Sequence, residues 1–269
     1  MKKQPRLKLP RLTDAQYSYA QELTAKSGIP INVCPTCGSK QDSDGIREYG
    51  TFKYLGQEWP CDCDTQIQLR KHYLLANIPD QFQRLDWNDF QGSDEVKTSV
   101  SIFLYKWHSF KVNGMGLEFS SPDLGVGKTF AATHVAKELV KLGESVFFTP
   151  FSEVVSALVS PDEKEIAMRM KDTTVLVLDE VIPAITDAQH GLFSEIFEQI
   201  IRHRTNFNRV TIMTTNMTPK DLHREYPRTY SLLEAKQDRI EMTGKDARKS
   251  WIAMDNWEIA LNGEVRPIT

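Results

Sequence analysis

A chain of 269 residues is long enough for one large hydrophobic core and a small additional domain. Its formal net charge of −3 gives no global basicity, so a nucleic-acid partner would have to meet a local basic patch. No run of about 18 apolar residues occurs, which excludes a long apolar membrane helix, and the basic first residues lack the apolar stretch of a signal peptide. We therefore expect a cytoplasmic protein with no membrane partner.

Residues 1–95 are predicted to form the smaller part of the protein, in three pieces. Residues 1–30 make a tail and a short helix. Residues 31–66 are rich in turn-forming residues and poor in aliphatic ones, so they cannot build a large core by themselves. Residues 67–95 are predicted to be a helical linker, with a helix that stops before Pro79 and an extended stretch after it.

All four cysteines lie in the turn-rich piece, as Cys34-x-x-Cys37 and Cys61-x-Cys63. In a cytoplasmic chain, clustered cysteines indicate a metal site more often than disulfides. Four thiolates make a closed tetrahedral Zn²⁺ site, which has no open position for water and is therefore structural. Such an ion would hold together a segment that has little core of its own. Two alternatives stay open: His72 in place of one cysteine, and four free thiols without a metal.

Residues 96–269 are predicted to be the larger domain, in which strands and helices alternate. Four short apolar runs are typical of strands: GLEFSS, SVFFTP, TTVLVLDE and RVTIMTTN. Three other segments have the apolar spacing of helices: KTFAATHVAKELVKLG, FSEVVSALVS and LFSEIFEQIIRHR. This order predicts an α/β domain with a mostly parallel sheet and helices on both faces.

The loop after the first of these strands nearly matches the phosphate-binding pattern G-x-x-x-x-G-K-[ST]. Gly127, Lys128 and Thr129 supply its last three positions, and Gly125 adds a second point where a ligand can approach the backbone. Backbone N–H groups would hold phosphates, the lysine would add charge, and the threonine hydroxyl would bind Mg²⁺. Pro122 replaces the first glycine at the loop entrance, where its missing N–H need not remove the later donors. An ordinary glycine-containing turn is the alternative.

Two further strand ends carry polar groups suited to ATP hydrolysis. Asp179 and Glu180 follow the apolar run VLVL, and Asn216 ends TIMTTN. Open α/β sheets bind ligands at the carboxyl ends of their strands. We expect Asp179 to hold Mg²⁺ through water, Glu180 to polarise the attacking water, and Asn216 to sense the γ-phosphate. Each group alone is also common in solvent-facing turns, but their order along the chain favours a nucleotide site.

Together these motifs resemble the AAA+ ATPases of the DnaC type, the bacterial and phage helicase loaders, and their IstB-type relatives in transposition. The resemblance rests on GVGKTFAATHVAKEL, VLVLDEV, LFSEIFEQIIRHR, TIMTTN and MTGKDARK, and it covers residues 80–248. The cysteine-bearing segment is also similar to the amino-terminal part of such loaders. The resemblance implies a P-loop AAA+ fold of the ASCE class, preceded by a small zinc-binding domain.

The resemblance also implies an ATP-dependent oligomeric switch. Such loaders contact the replicative DNA helicase through their amino-terminal region and bind single-stranded DNA through the ATPase part. Their ATP lies between subunits, so self-association completes the site. The implied cofactors are ATP, Mg²⁺ and Zn²⁺, and the implied nucleotide-binding residues are Gly125, Val126, Gly127, Lys128, Thr129, Phe130, Asp179 and Arg248.

The arginines depart from the pattern of this family. The family has an arginine where this chain has Leu232, so Arg228 upstream is the candidate intersubunit finger and Arg239 is the downstream candidate. Arg248, in GKDAR, matches the arginine that contacts nucleotide within the subunit. The departures imply slow turnover or a need for a partner.

Candidate DNA contacts cluster in IIRHRTNFNR and DLHREYPR. Phe207 or Tyr226 can stack on bases beside cations that track a phosphate backbone. The alternative is that these residues lie in solvent-exposed helix ends and loops without contacting DNA. This alternative is favoured when the family resemblance is set aside. The cations are Arg202, His203, Arg204, Arg209, Arg224 and Arg228.

The leading hypothesis is an ATP-dependent loader of a replicative DNA helicase that acts in replication initiation. One rival is an IstB-like transposition helper ATPase, with a transposase as its partner and duplex DNA as its track. The other rival is a non-enzymatic zinc-containing adaptor with a degenerate ATPase fold, which Pro122 and Leu232 would support.

Overall fold

The structure is a computed structural model that describes residues 9–154, 164–183, 187–247, 257 and 259–269. It divides the chain into two compact units. The first contains the chain up to residue 89, residues 140–143 and the end of the chain after residue 247. The second contains residues 90–139 and 144–247. None of the helices in these described ranges is long and apolar enough to cross a membrane.

The first unit is built from short elements. Its first helix has a capping box at Thr13, whose hydroxyl accepts the N–H of Gln16, and it ends at Gly28 with a φ of 75°. The stretch after Pro79 was predicted to be extended, but it contains a short α-helix and a 3-10 turn. The elements are α1 (Asp14–Ser27), β1 (Gln41–Asp42), β2 (Gly45–Ile46), β3 (Thr51–Tyr54), β4 (Gln57–Pro60), α2 (Cys63–Leu75), α3 (Asp80–Gln83) and the 3-10 turn Trp87–Asp89.

The segment after residue 263 belongs to this first unit. The Glu264 carboxylate accepts the backbone N–H groups of Leu55 and Gly56, both at 2.9 Å, in the turn between β3 and β4. Further along, the Gln66 side chain bonds the backbone of Ile268 in both directions. This grouping differs from the predicted extension of the larger domain to residue 269. The predicted division after residues 30, 66 and 95 stays a prediction.

The second unit is an α/β domain with one five-stranded sheet. All strand pairs in it are parallel, in the order β6-β7-β8-β5-β9. The predicted parallel sheet flanked by helices is thus confirmed. The elements are α4 (Asp94–Tyr105), α5 (Trp107–Asn113), β5 (Gly116–Ser120), α6 (Lys128–Lys141), β6 (Val146–Pro150), α7 (Lys164–Asp172), β7 (Val175–Val181), α8 (Asp187–Asn206), β8 (Val210–Thr215), α9 (Pro219–Glu225), α10 (Pro227–Glu234) and β9 (Gln237–Glu241).

The core of the second unit explains why the strands are apolar on both faces. Residues 175–178 of β7 are fully buried, as expected for an inner parallel strand. The apolar stripe of α8 packs on the sheet, and the ring of Phe197 meets those of Phe151 and Tyr226 at centroid distances of 4.9 and 5.3 Å. The predicted helix FSEVVSALVS begins with residues 151–154, but its remainder lies outside the described residues.

Candidate functional site

The phosphate-binding loop joins the end of β5 to the start of α6 at the carboxyl edge of the sheet. Gly125 and Gly127 have φ angles of 72° and 93°, which glycine adopts without steric cost. A Cβ atom at Gly127 would come within 3.0 Å of the Phe90 ring, and one at Gly125 within 1.8 Å of an Asp246 carboxylate oxygen. Both glycines are therefore required by the packing of the loop as well as by its backbone conformation.

The departure from the loop pattern lies at the exposed entrance. Pro122 is solvent-exposed, and the turn around it is closed by the Asp123 N–H, which donates to the Ser121 hydroxyl at 3.1 Å. The Lys128 ammonium donates to the carbonyl oxygens of Asp123 and Ser121, at 2.8 and 3.3 Å. The lysine is thus held at the loop, where a phosphate oxygen would be a stronger acceptor for the same ammonium.

The two predicted Mg²⁺ ligands lie side by side. Asp179 Oδ1 accepts hydrogen bonds from the hydroxyls of Thr129, at 2.9 Å, and Thr214, at 2.7 Å. Burial raises the pKa of the Asp179 carboxyl, and the two hydroxyls and the nearby Lys128 ammonium partly oppose that rise. A carboxylate and a hydroxyl at this spacing are oxygen donors of the kind that Mg²⁺ accepts, directly or through water.

Glu180 has a backbone conformation that the sequence did not predict. Its φ is 58°, and the pairing of β7 with β8 shifts register between Leu178 and Val181. Its N–H donates to the Thr214 hydroxyl at 2.8 Å instead of continuing the ladder. Such bulges reorient a side chain at the end of a strand, and a non-glycine residue with positive φ costs about 1–3 kcal/mol. The bulge leaves the Glu180 side chain exposed at the carboxyl edge.

Asn216 follows β8 at the same edge and has an open acceptor. Its amide oxygen is buried, and no hydrogen-bond partner for it exists among the described residues. Buried polar atoms are almost always paired, so an orphaned one indicates a ligand or an ordered water. The structure therefore brings together the loop, the Thr129–Asp179 pair, Glu180 and Asn216 at the ends of three neighbouring strands.

The side chains of Val126 and Phe130 are buried beside the phosphate loop. Both residues are about 5% exposed. The Phe130 ring packs on Phe90, with centroids 5.6 Å apart. The contact of Val126 and Phe130 with nucleotide stays a prediction, and with the side chains buried it would be made by main-chain groups of the loop and the first turn of α6.

The three candidate arginines have different environments. The Arg228 side chain is 81% exposed, and its guanidinium is 3.9 Å from a Glu198 carboxylate oxygen. Arg239 is mostly buried and lies 2.6 Å from the Glu118 carboxylate. Arg248 lies outside the described residues. Arg228 is thus the more accessible of the two finger candidates, whereas Arg239 is engaged within its own subunit.

The segment that follows β9 lies against the phosphate loop. The Ala247 N–H donates to the Gly125 carbonyl at 3.1 Å, and the Met242 N–H donates to the Ser120 carbonyl at 2.8 Å. The segment that precedes Arg248 is therefore anchored on the loop. Leu232, which stands where the family has an arginine, packs partly buried against the core.

The four cysteines form one compact cluster in the first unit. Their sulfur atoms all lie within 4.8 Å of one another, with Cys34 and Cys61 at 3.6 Å and Cys37 and Cys63 at 3.3 Å. Sulfurs bound to one tetrahedral Zn²⁺ at 2.3 Å are about 3.8 Å apart, so the cluster is close to a zinc geometry. The cluster is compatible with zinc. His72 lies outside it, with its Nε2 at 3.1 Å from the Pro10 carbonyl.

Local backbone geometry places these sulfurs. In the first pair, the Gly38 N–H donates to the Cys34 carbonyl at 3.0 Å, and Gly38 has a φ of 81°, which makes a tight knuckle. The second pair spans the start of α2, with Cys61 before the helix, Asp62 as its N-cap and Cys63 as its first residue. Because helix α2 starts at Cys63, a single intervening residue is enough to turn both sulfurs inward. Burial raises the pKa of the Cys34 thiol to about 11, a cost that a bound cation would remove.

Two of the predicted DNA contacts are wrong because their side chains are buried. Arg204 is fully buried, and burial lowers the pKa of its guanidinium to about 9. Its guanidinium donates to the Thr211 hydroxyl and to five backbone carbonyls at the end of α7, just before β7 and at the start of β8. Tyr226 is also fully buried, and its hydroxyl donates to the Ile182 carbonyl at 2.7 Å. Phe207 is 64% exposed, so its ring is accessible for the predicted stacking on bases.

Two site residues have no counterpart in the sequence analysis. Thr214 links the Asp179 carboxylate to the Glu180 N–H. The two consecutive threonines in TIMTTN, at the end of an apolar strand, could have indicated this role. Glu118 is an acidic residue within the fully buried strand β5. A charge at such a position requires a partner, which the structure identifies as Arg239.

Comparisons with known proteins agree with this geometry. Residues 121–237 match the family model of the ATPases associated with various cellular activities, abbreviated AAA. This segment is similar to the AAA family. The matched range begins at the phosphate loop and includes Asp179, Glu180 and Asn216. A search of curated proteins finds no match.

Solved structures with the same fold include replication proteins. A crystal structure of DnaI is 20% identical, with a TM-score of 0.53, and the match covers 61% of this chain and 94% of that one. The DnaC helicase loader is 18% identical, with a TM-score of 0.55 and coverage of 61% and 100%. The initiator DnaA, bound to AMPPCP and single-stranded DNA, is 16% identical, with a TM-score of 0.51 and coverage of 69% and 56%. At these identities the likeness shows the fold of the AAA domain.

Proposed function

We propose that this protein is an ATP-dependent loader of a replicative DNA helicase. The observation that carries the proposal is the convergence of the phosphate loop, the Thr129–Asp179 pair, Glu180 and Asn216 at one sheet edge of an AAA domain. Among proteins of the same fold, one is a helicase loader and another is a replication initiator bound to single-stranded DNA. The amino-terminal cysteine cluster adds a second module that can serve as the contact with a client.

In this proposal each residue at the site has a separate task in ATP hydrolysis. The loop N–H groups and the Lys128 ammonium bind the phosphates. Thr129 and Asp179 hold Mg²⁺, which neutralises phosphate charge when bound. Glu180 polarises the attacking water, and Asn216 orients that water against the γ-phosphate.

The proposal includes self-association through the nucleotide site. Arg228 projects from the surface with 81% of its side chain exposed, so a neighbouring subunit can receive it. An arginine supplied in this way stabilises charge on the transferred phosphoryl group. Within the described residues, the ion pair of Arg228 with Glu198 is long and exposed, so its withdrawal from that pair costs little.

For the cysteine cluster we propose a structural Zn²⁺ ion held by Cys34, Cys37, Cys61 and Cys63. The apolar cluster around these sulfurs is small, with Ile67 as its buried aliphatic residue. A metal would supply the stability that such a module lacks. We assign the helicase contact to this amino-terminal module and the DNA contact to the AAA domain.

One surface supports the assignment of single-stranded DNA to the AAA domain. A cavity of about 280 Å³ is lined by Phe207, Val112, His108 and the cations Lys111 and Arg209, among others. An exposed aromatic ring beside cations is the combination that binds unpaired bases and their phosphates. Lys111 also pairs with the Glu144 carboxylate at 2.7 Å, so Arg209 is the stronger phosphate ligand of the two.

The first experiment measures ATP binding and hydrolysis by wild type, Lys128→Ala and Glu180→Gln. We expect Lys128→Ala to lose ATP binding and Glu180→Gln to bind ATP without hydrolysing it. Absence of hydrolysis in the wild type, with and without DNA, would favour the adaptor.

The second experiment identifies the client by capture of the tagged protein in the presence of ATP. Recovery of a replicative helicase, lost in Cys34→Ser/Cys37→Ser, supports the loader. Recovery of a transposase together with preference for duplex DNA would favour the IstB-like role. Phe207→Ala is expected to weaken binding of single-stranded DNA, whereas Met168→Ala, an exposed apolar residue that is not among those lining this cavity, is expected to leave it unchanged.

A further inference from the structure

A buried charge pair joins the two strands on one side of the sheet. Glu118 of β5 and Arg239 of β9 are register partners in the parallel ladder, and their nearest oxygen and nitrogen atoms are 2.6 Å apart. The Glu118 side chain is 2% exposed and that of Arg239 is 20% exposed. Burial raises the pKa of the Glu118 carboxyl, and the Arg239 charge opposes that rise. Removing one partner of such a pair leaves a buried charge without compensation.

Tyr230 of α10 completes the network. Arg239 Nη1 donates to the Tyr230 hydroxyl at 3.1 Å, and this hydroxyl donates to Glu118 Oε2 at 3.4 Å. Tyr230 is 3% exposed, so water does not compete for these bonds. The guanidinium is thereby fixed on one side by two strands and a helix.

The other side of the guanidinium reaches the candidate nucleotide site. Arg239 Nη2 donates to the Met217 carbonyl at 3.2 Å, and Met217 directly follows Asn216. The Met217 N–H donates to the Thr215 hydroxyl at 3.0 Å, which itself donates to the Val181 carbonyl at 2.7 Å. Asn216, whose buried amide oxygen has no partner in the part of the chain that the structure describes, thus lies between two anchored residues.

We propose that Arg239 is a positioning residue for Asn216. Its ion pair with Glu118 and its bond to Met217 hold the Asn216 amide at the carboxyl edge of the sheet, where the γ-phosphate and the attacking water of the proposed reaction lie. This role is exerted within one subunit and differs from that of an intersubunit arginine finger. The inference rests on the proposed ATPase function for its kinetic consequences and on the bond network alone for its structural ones.

The kinetic test compares Arg239→Met with Arg239→Lys, Asn216→Ala and the control Glu241→Gln. Glu241 is 76% exposed and 3.7 Å from Arg239 Nε, so its change leaves the buried network in place. We expect Arg239→Met to lower kcat about tenfold to a hundredfold, as loss of a supporting residue typically does, with little change in KM for ATP. Arg239→Lys is expected to restore part of the rate. If Arg239→Met lost ADP affinity by the same factor as it lost kcat, the proposal would be overturned, because such a loss would indicate a general collapse of the site.

The double variant Arg239→Met/Asn216→Ala separates positioning from a finger role. If Arg239 acts through Asn216, the double variant has about the same kcat as Asn216→Ala alone. A finger acting in trans predicts that the two losses multiply. It also predicts that mixing Arg239→Met with Lys128→Ala chains restores activity, since each chain would supply what the other lacks. Either of these results contradicts the positioning role.

A measurement without nucleotide keeps the inference testable even if the protein proves not to be an ATPase. Amide hydrogen exchange at residues 215–217 is expected to be faster in Arg239→Met than in Glu241→Gln, with the rest of the sheet unchanged. If Arg239→Met does not fold, Arg239→Lys replaces it, since it keeps the charge opposite Glu118 and lacks the second nitrogen that reaches the Met217 carbonyl. Unchanged exchange in the folded variant would refute the inference, whereas absent hydrolysis in the wild type would refute the proposed function alone.

Discussion

The side chain of Gln66 joins the cysteine cluster to the segment after residue 263. Its amide oxygen accepts the Thr36 hydroxyl at 2.6 Å and the Ile268 N–H at 2.7 Å, and its amide nitrogen donates to the Ile268 carbonyl at 2.9 Å. Thr36 lies between the first two cysteines. We predict that Gln66→Ala releases residues 264–269 from the first unit.

The expected size of this effect follows from the bonds that are lost. A buried hydrogen bond contributes about 1 kcal/mol net, so the loss of the two bonds to Ile268 weakens docking of the segment by about 2 kcal/mol. Since about 1.4 kcal/mol corresponds to a factor of ten, the open population rises about thirtyfold. Ile268, which is 4% exposed in the docked state, would then become accessible to water. Tyr73→Phe removes the bond of its hydroxyl to the Thr269 carbonyl at 2.6 Å, and it is expected to raise opening about fivefold.

Hydrogen exchange of residues 265–269 measures this opening directly. The matched control is Gln68→Ala, because Gln68 lies on the same helix α2 and is exposed. We expect exchange in the order Gln66→Ala, then Tyr73→Phe, then Gln68→Ala and wild type together. If the segment exchanges as slowly in Gln66→Ala as in Gln68→Ala, the bonds to Ile268 do not hold the segment in place and the reasoning fails.

Further predictions concern the metal and three buried positions. Removal of metal by a chelator is expected to speed exchange in the same segment and to lower the melting temperature, and metal analysis is expected to find one zinc per chain. Asp179→Asn is expected to raise the melting temperature at neutral pH without nucleotide, because burial raises the pKa of this carboxyl; the gain shrinks as pH falls, since protonation removes the same cost. Gly127→Ala is expected to lose ATP affinity in equilibrium binding, because a left-handed conformation costs about 1–2 kcal/mol and the new methyl meets Phe90. Arg204→Met is expected to lower the free energy of unfolding by at least about 3 kcal/mol in urea titrations, because five carbonyls lose their donor.

The parts of the site that the sequence predicted are those set by strand order. Lys128, Asp179 and Asn216 each follow an apolar run, and parallel pairing places the ends of such runs at one edge. The predicted sheet was confirmed for the same reason, since buried parallel strands are continuous apolar runs. Local pattern and the direction of the chain were sufficient for these features.

The features that the sequence did not predict depend on contacts between distant segments. The left-handed φ of Glu180 arises where β7 shifts register against β8, and no local propensity encodes that shift. The pair Glu118–Arg239 joins residues more than a hundred positions apart. Arg204 was interpreted as a possible DNA contact because helix-end arginines are usually exposed, but its helix ends against three segments whose carbonyls need a donor.

Buried polar groups occur at both edges of this sheet, and the saturation of their hydrogen bonds separates structure from function. Arg204, at the amino edge of the inner strands, makes six hydrogen bonds and keeps no donor nitrogen for a ligand. At the carboxyl edge, Asp179 uses only one carboxylate oxygen for the two threonine hydroxyls, and the Asn216 amide oxygen has no partner among the described residues. A buried group with all its hydrogen bonds made offsets the cost of its desolvation within the fold, whereas a buried group with an open hydrogen-bonding position can still accept a ligand. Saturation alone does not classify Arg239, whose Nε is buried and has no hydrogen-bond partner among the described residues. Arg239 is instead assigned to the supports of the site because its Nη atoms point to Glu118, Tyr230 and Met217 within its own subunit.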